Sequence, residues 1–151
     1  MRKTALATIA LLGVTTGFAG MVGTVSAEGL PFANGQKNFI IAAGVTRKAD
    51  TLTFAAVQSA ANGFVVLYKI VDGVPQGDTY VGASYVPKGK SQNVAVKLNY
   101  IPVKGDHLVV MLHRDNNENK KFDFVFDAAG KVQDEVVKEN TKMVARIFSA
   151  P

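Results

Sequence analysis

The sequence predicts an all-β protein, a two-sheet antiparallel β-sandwich of about seven strands, from three observations. Apolar and polar residues alternate with period two, two short runs are continuously apolar, and turn residues separate the runs at sandwich-like spacing. Val94, Val96, Leu98 and Tyr100 alternate with Asn93, Ala95, Lys97 and Asn99, the pattern of a strand with one face buried. Leu52, Phe54 and Ala56 alternate in the same way with Thr51, Thr53 and Ala55. Phe64 to Leu67 and Leu108 to Leu112 are apolar throughout, which suits central strands covered on both faces. The reversals fall at Ala61-Asn62-Gly63, Val71-Asp72-Gly73-Val74-Pro75, Pro87-Lys88-Gly89-Lys90, Lys104-Gly105-Asp106 and Ala129-Gly130, where glycine, proline or Asx lets the chain turn.

Strands are expected near 38–45, 51–57, 64–71, 79–86, 92–99, 107–113 and 143–149, with an additional short one near 122–126. The core is expected to hold Phe54, Phe64, Val66, Leu67, Val94, Val96, Leu98, Leu108, Val110 and Leu112. Residues 131–142 are ambiguous: Val132 and Val136 can share a helical face, with Asp134 and Lys138 as an i, i+4 pair.

The first residues have the layout of a secretory leader. Arg2-Lys3 is the cationic start, Ala5 to Val14 the apolar segment, and Val25-Ser26-Ala27 the small residues that a signal peptidase reads. Four glycines and two threonines between Gly13 and Gly23 dilute the apolar character, which favours a cleaved leader over a membrane anchor. The organisation expected is a signal peptide at 1–27, a lead-in and first strand at 28–49, and one sandwich domain at 50–151. The destination is secreted, periplasmic or on the cell surface, with no membrane span after cleavage. With no cysteine there is no disulfide, so packing or a bound ion must supply the stability. Of the net charge of +5, Arg2 and Lys3 leave with the leader, and the remaining basic residues are scattered along the chain. That pattern excludes nucleic acid as a partner, because a backbone binder needs a concentrated cationic stripe.

Gly63-Phe64-Val65-Val66-Leu67-Tyr68, Val81-Gly82-Ala83-Ser84, Asn93-Val94-Ala95-Val96, and above all Leu108 to Asp115 followed by Phe122-Asp123-Phe124 carry a family likeness. Over roughly Asp50 to Phe148 the chain resembles an uncharacterised domain of exported surface proteins from archaea and bacteria. The resemblance implies an immunoglobulin-like β-sandwich of unknown function at the cell surface or in the periplasm. Similar proteins tend to carry an Asp-x-Asn-x-Asn-Gly loop where this chain has Asp115-Asn116-Asn117-Glu118-Asn119-Lys120, with lysine in place of the glycine.

The same loop has the ligand spacing of a calcium site. Oxygen ligands at positions 1, 3, 5, 7 and 9 would be Asp115, Asn117, Asn119, the main-chain carbonyl of Lys121, and Asp123. Position 6 is Lys120 instead of the turn glycine and position 12 is Phe126 instead of a bidentate glutamate, so calcium, the one cofactor the sequence suggests, would bind weakly. The bland alternative is an Asx-rich turn whose side chains cap their own backbone amides. His107 and His113, six residues apart on one strand, would be about 20 Å apart and cannot share a metal ion. They read as polar strand-end residues. Phe122, Phe124 and Phe126 form an alternate stripe that reads as core in preference to an exposed aromatic platform.

No nucleophile elbow, zinc-protease signature, phosphate loop or cysteine nucleophile is present, and Asp115 with Asp123 beside three asparagines suits cation ligands better than an acid–base pair. The leading expectation is a non-catalytic envelope or extracellular module that binds another envelope protein or a surface polymer. The alternatives are a calcium- or small-ligand-binding protein using the Asp115–Asp123 loop, and a hydrolase with an unrecognised site. Exported material should begin at Glu28 on N-terminal sequencing; a membrane-retained chain with Met1 or Arg2 intact is the opposite result.

Overall fold

The computed structural model describes residues 32–33, 37–124, 128 and 133–151. The leader, Phe126 and Val132 lie outside them. Ten strands follow one another along the described chain: β1 (Phe32–Ala33), β2 (Phe39–Ile41), β3 (Thr46–Lys48), β4 (Thr51–Ser59), β5 (Gly63–Val71), β6 (Val74–Val86), β7 (Gly89–Lys97), β8 (His107–Arg114), β9 (Lys138–Glu139) and β10 (Lys142–Ser149). No helix occurs among the described residues, and none is long and apolar enough to cross a membrane.

The larger sheet runs β1-β10-β8-β5-β6, with β9 on β10; in the smaller, β2 and β3 pair with one edge of β4 and β7 with the other. All ladders are antiparallel except β1 on β10. The chain changes sheet between β1 and β2, between β4 and β5, at Pro87-Lys88 between β6 and β7, and again between β7 and β8, which is the immunoglobulin-like arrangement of a packed pair of sheets. The seven expected strands are all present. The first is shorter than expected and is followed by the separate β3, because Gly44, at a φ of 71°, turns the chain after Ile41. Phe122 to Phe124 form no strand, and the helical reading of residues 131–142 fails where they are described: Val136 bridges to His113 and Lys138–Glu139 pair with β10.

Alternation explains the core. From β4 and β7 come Leu52, Phe54, Val94 and Val96, paired as Leu52 with Val96 and Phe54 with Val94; from the other sheet come Val65, Leu67, Leu108, Val110 and Leu112. Every core residue expected from the sequence is buried. The continuous runs have the other reason anticipated for them. On β5 and β8 the intervening residues Phe64, Val66, Tyr68, Val109 and Met111 form a second cluster on the outer face of the larger sheet, covered in part by Phe122 and Phe124. The two phenylalanines thus close an outer cluster instead of entering the space between the sheets.

Two glycines mark close approaches. A Cβ on Gly63 would meet the carbonyl of His113 on β8, and one on Gly82 would lie 2.6 Å from the Lys97 carbonyl oxygen and 2.8 Å from Leu98 Cδ2. At these points β5 meets β8 and β6 meets the end of β7 with backbone alone.

Leu108 and Leu112 are wholly enclosed. Leu108→Ala or Leu112→Ala should therefore each destabilise the protein by about 2–5 kcal/mol in urea unfolding, from lost transfer energy plus the cavity left behind. Unchanged stability in Leu112→Ala would contradict this packing.

Candidate functional site

At the end of β8 the chain leaves the larger sheet, runs over its outer face and returns alongside the same strand. Arg114 N donates to Glu135 O at 2.8 Å and Val137 N to Leu112 O at 2.7 Å, so the returning segment is tied to β8 by main-chain bonds. Between the two crossings lies the loop that begins at Asp115.

Two buried carboxylates organise this loop. Asp134, fully buried, accepts from Asn116 N at 3.0 Å through Oδ1 and from Asp123 N at 2.7 Å through Oδ2, joining the two ends of the loop. Asp115 is also buried; its Oδ2 accepts from Lys120 N at 2.9 Å, while its Oδ1 is enclosed with no hydrogen-bond partner. A buried oxygen without a donor is costly, most of all on a carboxylate.

The remaining candidate ligands are engaged with one another. Asn117 Oδ1 accepts from Asn119 N at 3.2 Å and Asn119 Oδ1 from Lys121 N at 2.7 Å, both Asx turns. The amides of Asn117 and Asn119 each donate to Asp123 Oδ2 at 2.6 Å. These two amides, with the Lys121 ammonium adding to them, hold the Asp123 carboxyl below the ordinary carboxylate range. Glu118 and Lys120 stand at φ of 57° and 59°. Lys120 thus adopts the left-handed turn for which a calcium loop uses glycine, at a cost that the Asp115 bond helps to offset. Asp115, Asn117, Asn119, Lys121 and Asp123 are brought into one loop as the spacing predicts, and the loop's own hydrogen bonds satisfy most of its polar groups. Asp134, the residue joining its ends, escaped the spacing argument because it lies outside the window of a calcium loop.

His113 lies beneath the loop. It is a strand-end residue, as expected, but a buried one, whereas His107 is exposed at the other end of β8. His113 Nδ1 is 2.7 Å from the Asp134 carbonyl oxygen, which can only accept, so Nδ1 carries the proton. Nε2 then accepts from the Tyr68 hydroxyl at 3.1 Å. Phe122 packs edge-on against the imidazole with ring centroids 5.0 Å apart, and also meets Phe64 at 5.5 Å and Tyr80 at 5.1 Å. Burial lowers the imidazole from its ordinary 6.5 to about 4, against the smaller opposing effect of the Asp134 carbonyl, and burial likewise pushes the Tyr68 phenol up.

The lowered histidine gives a pH dependence with a definite sign. Between pH 6.5 and about 4 the unfolded chain binds a proton at His113 that the folded chain refuses, so stability is fully present above this window and falls as pH falls through it. The shift corresponds to roughly 3 kcal/mol at its full extent. Urea unfolding at several values of pH should show this loss in the wild type and a flatter profile in His113→Asn, which keeps a donor for the Asp134 carbonyl. Parallel profiles for the two proteins would refute the assignment.

No curated protein and no solved structure matches the chain. Residues 40–149 match a protein family described as a domain of unknown function (DUF7282), and the match spans β4 through β8, the Asp115–Asp134 loop and all of β10. The chain belongs to this DUF7282 family.

Proposed function

We propose that the chain is an exported, non-catalytic β-sandwich module of the cell envelope or extracellular space that binds another envelope protein or a surface polymer. One observation carries the reading. Val71 and Val74, which flank the β5–β6 turn, are 49% and 59% exposed, and Ile101 and Val103, in the β7–β8 connection, are 65% and 69% exposed. Lys69 of β5 pairs with Leu108 of β8, so both loops lie at the same end of the sandwich. Large aliphatic side chains gathered at one end of a small domain favour a contact surface. The chemically versatile buried groups are occupied elsewhere: both nitrogens of His113 and three of the four oxygens of Asp115 and Asp134 make hydrogen bonds that hold the fold.

Cell fractionation tests the reading. The mature chain should sediment with the envelope, and Ile101→Ser with Val103→Ser should release it into the soluble exported fraction at an unchanged melting temperature. A wild-type chain confined to the cytoplasm would overturn it.

A second reading, calcium binding by the Asp115–Asp123 loop, is favoured by the unpartnered Asp115 Oδ1 and by the left-handed Lys120. Binding would require Asn117 and Asn119 to turn their carbonyl oxygens from the backbone to the ion, which keeps the affinity in the weak range of about 10⁻⁴–10⁻³ M. Millimolar calcium should then raise the melting temperature, and Asp115→Ala should abolish the increase. No shift at roughly tenfold higher calcium than that range would leave an Asx-stapled turn.

A further inference from the structure

The loop buries the Asp115 carboxylate and exposes two lysines. Lys120 and Lys121 line a cleft of about 710 Å³ along the β6 edge of the larger sheet, a volume suited to a small ligand or a few units of a polymer. Lys97, at the end of β7, forms part of the opposite wall with Asn99. Between these walls stand Tyr80, Tyr85 and Phe122. The tyrosines and Phe122 are braced by ring contacts: Tyr85 meets Phe64 at 5.7 Å and Tyr80 meets Phe122 at 5.1 Å, both edge-on, so the aromatic wall is preorganised.

The charge in this cleft has one sign. Three lysines contribute to the lining and no carboxylate does. Lys120 Nζ lies 5.9 Å above the Tyr85 ring, and Lys97 Nζ is 3.7 Å from Asp50 Oδ2 with its side chain 77% exposed. The Lys97–Asp50 contact is an exposed surface pair of small worth that a ligand anion can replace. Asp115 and Asp134 are directed inward onto backbone amides, and the Asp123 carboxylate is held by the side-chain amides of Asn117 and Asn119.

We infer that this cleft binds an acidic polysaccharide, through ammonium contacts from Lys97, Lys120 and Lys121 to its carboxylate or sulfate groups and stacking of its sugar rings on the aromatic wall. The inference deepens the binding-module reading and rests on it. A sugar matches the cleft because a pyranose combines an apolar C–H face with hydroxyls, and here aromatic faces stand beside the hydroxyl and amide groups of Tyr80, Tyr85 and Asn99. A single-stranded nucleic acid would need cations that track its backbone beyond one cleft, together with successive stacking platforms. The glycine at position 82 belongs to the same construction: its missing Cβ lets β6 approach Lys97 and Leu98 and so bring the two walls together.

The test uses the mature chain in calorimetric titrations at low salt with a chelator present, so that no calcium bridge contributes. The probes are a size-defined oligogalacturonate, a sulfated oligosaccharide of equal length, a neutral oligosaccharide, oligothymidylate, and anionic phospholipid vesicles. At least one acidic oligosaccharide should bind, weaken as salt rises, and lose about tenfold or more in affinity in Lys120→Gln with Lys121→Gln and in Tyr85→Ala. The uronate and sulfate probes distinguish which acidic group is read. Lys120 and Lys121 are exposed, so their double variant should keep the wild-type melting temperature. Binding that persists with the chelator present separates this site from the calcium reading, while fractionation judges the export reading independently. The inference is overturned if neither acidic oligosaccharide binds, if both lysine and tyrosine variants bind as the wild type does, or if the neutral sugar, oligothymidylate or vesicles bind more tightly.

Discussion

The antiparallel pairing of β5 with β8 is the constraint on which the rest of the structure depends. Both strands are apolar on both faces, so the pair needs a second layer above it as well as the smaller sheet below. The smaller sheet satisfies one face with Leu52, Phe54, Val94 and Val96. For the other face no third sheet stands among the described residues, and the described part of the segment after β8 covers it instead. Leaving Phe64, Val66, Tyr68, Val109 and Met111 to water would forfeit roughly 1.5–3 kcal/mol for each large side chain exposed. Closure of that face is therefore a condition of stability.

The covering segment lacks the repetitive hydrogen bonding of a strand over Phe122 to Phe124, and its order comes from side chains. Asp134 joins Asn116 to Asp123, Asp115 holds Lys120, and His113 grips the Asp134 carbonyl from below. These bonds set the path of the chain so that Phe122 descends onto Phe64 and His113 while Lys120 and Lys121 remain at the rim. The polar loop and the aromatic cover are thus one device: the first fixes the geometry and the second supplies the buried surface. The same device brings the two lysines opposite Lys97, which is distant in sequence.

Packing and polar constraint meet at His113. A leucine at this position would fill the outer cluster without a desolvation cost, yet it would leave the Asp134 carbonyl and the Tyr68 hydroxyl without partners. A neutral imidazole serves both, donating at one nitrogen and accepting at the other. The arrangement tolerates only the neutral ring, which is why burial, rather than any charged neighbour, governs its titration.

The sequence by itself determined the fold class, the positions of the main strands and the inward residues of β4, β7 and β8; on β5 it indicated burial, but Phe64 and Val66 face the outer cluster and Val65 the other sheet. Strand burial follows a period of two that the chain displays directly, and continuous apolar runs have no other use in a sandwich than burial on both faces. It also placed Asp115, Asn117, Asn119, Lys121 and Asp123 in one loop, because those five are neighbours along the chain. What only the tertiary structure decided is what meets across long separations. Asp134 reads in the sequence as one end of a helical ion pair, but its partners are amides 11 and 18 residues away, and the Tyr68–His113 contact spans 45. Phe122 and Phe124 show the same division: their alternation indicates burial, but they are half-buried on the outer face, and which face they cover depends on where the loop returns. Lysines that appear scattered in sequence line one cleft because an isolated bridge from Gly82 to Leu98 brings β6 beside the end of β7 and the Asp134 clamp folds the loop toward them. Local periodicity encodes which residues turn inward; loop closure, set by a few buried hydrogen bonds between distant residues, decides which of them share a site.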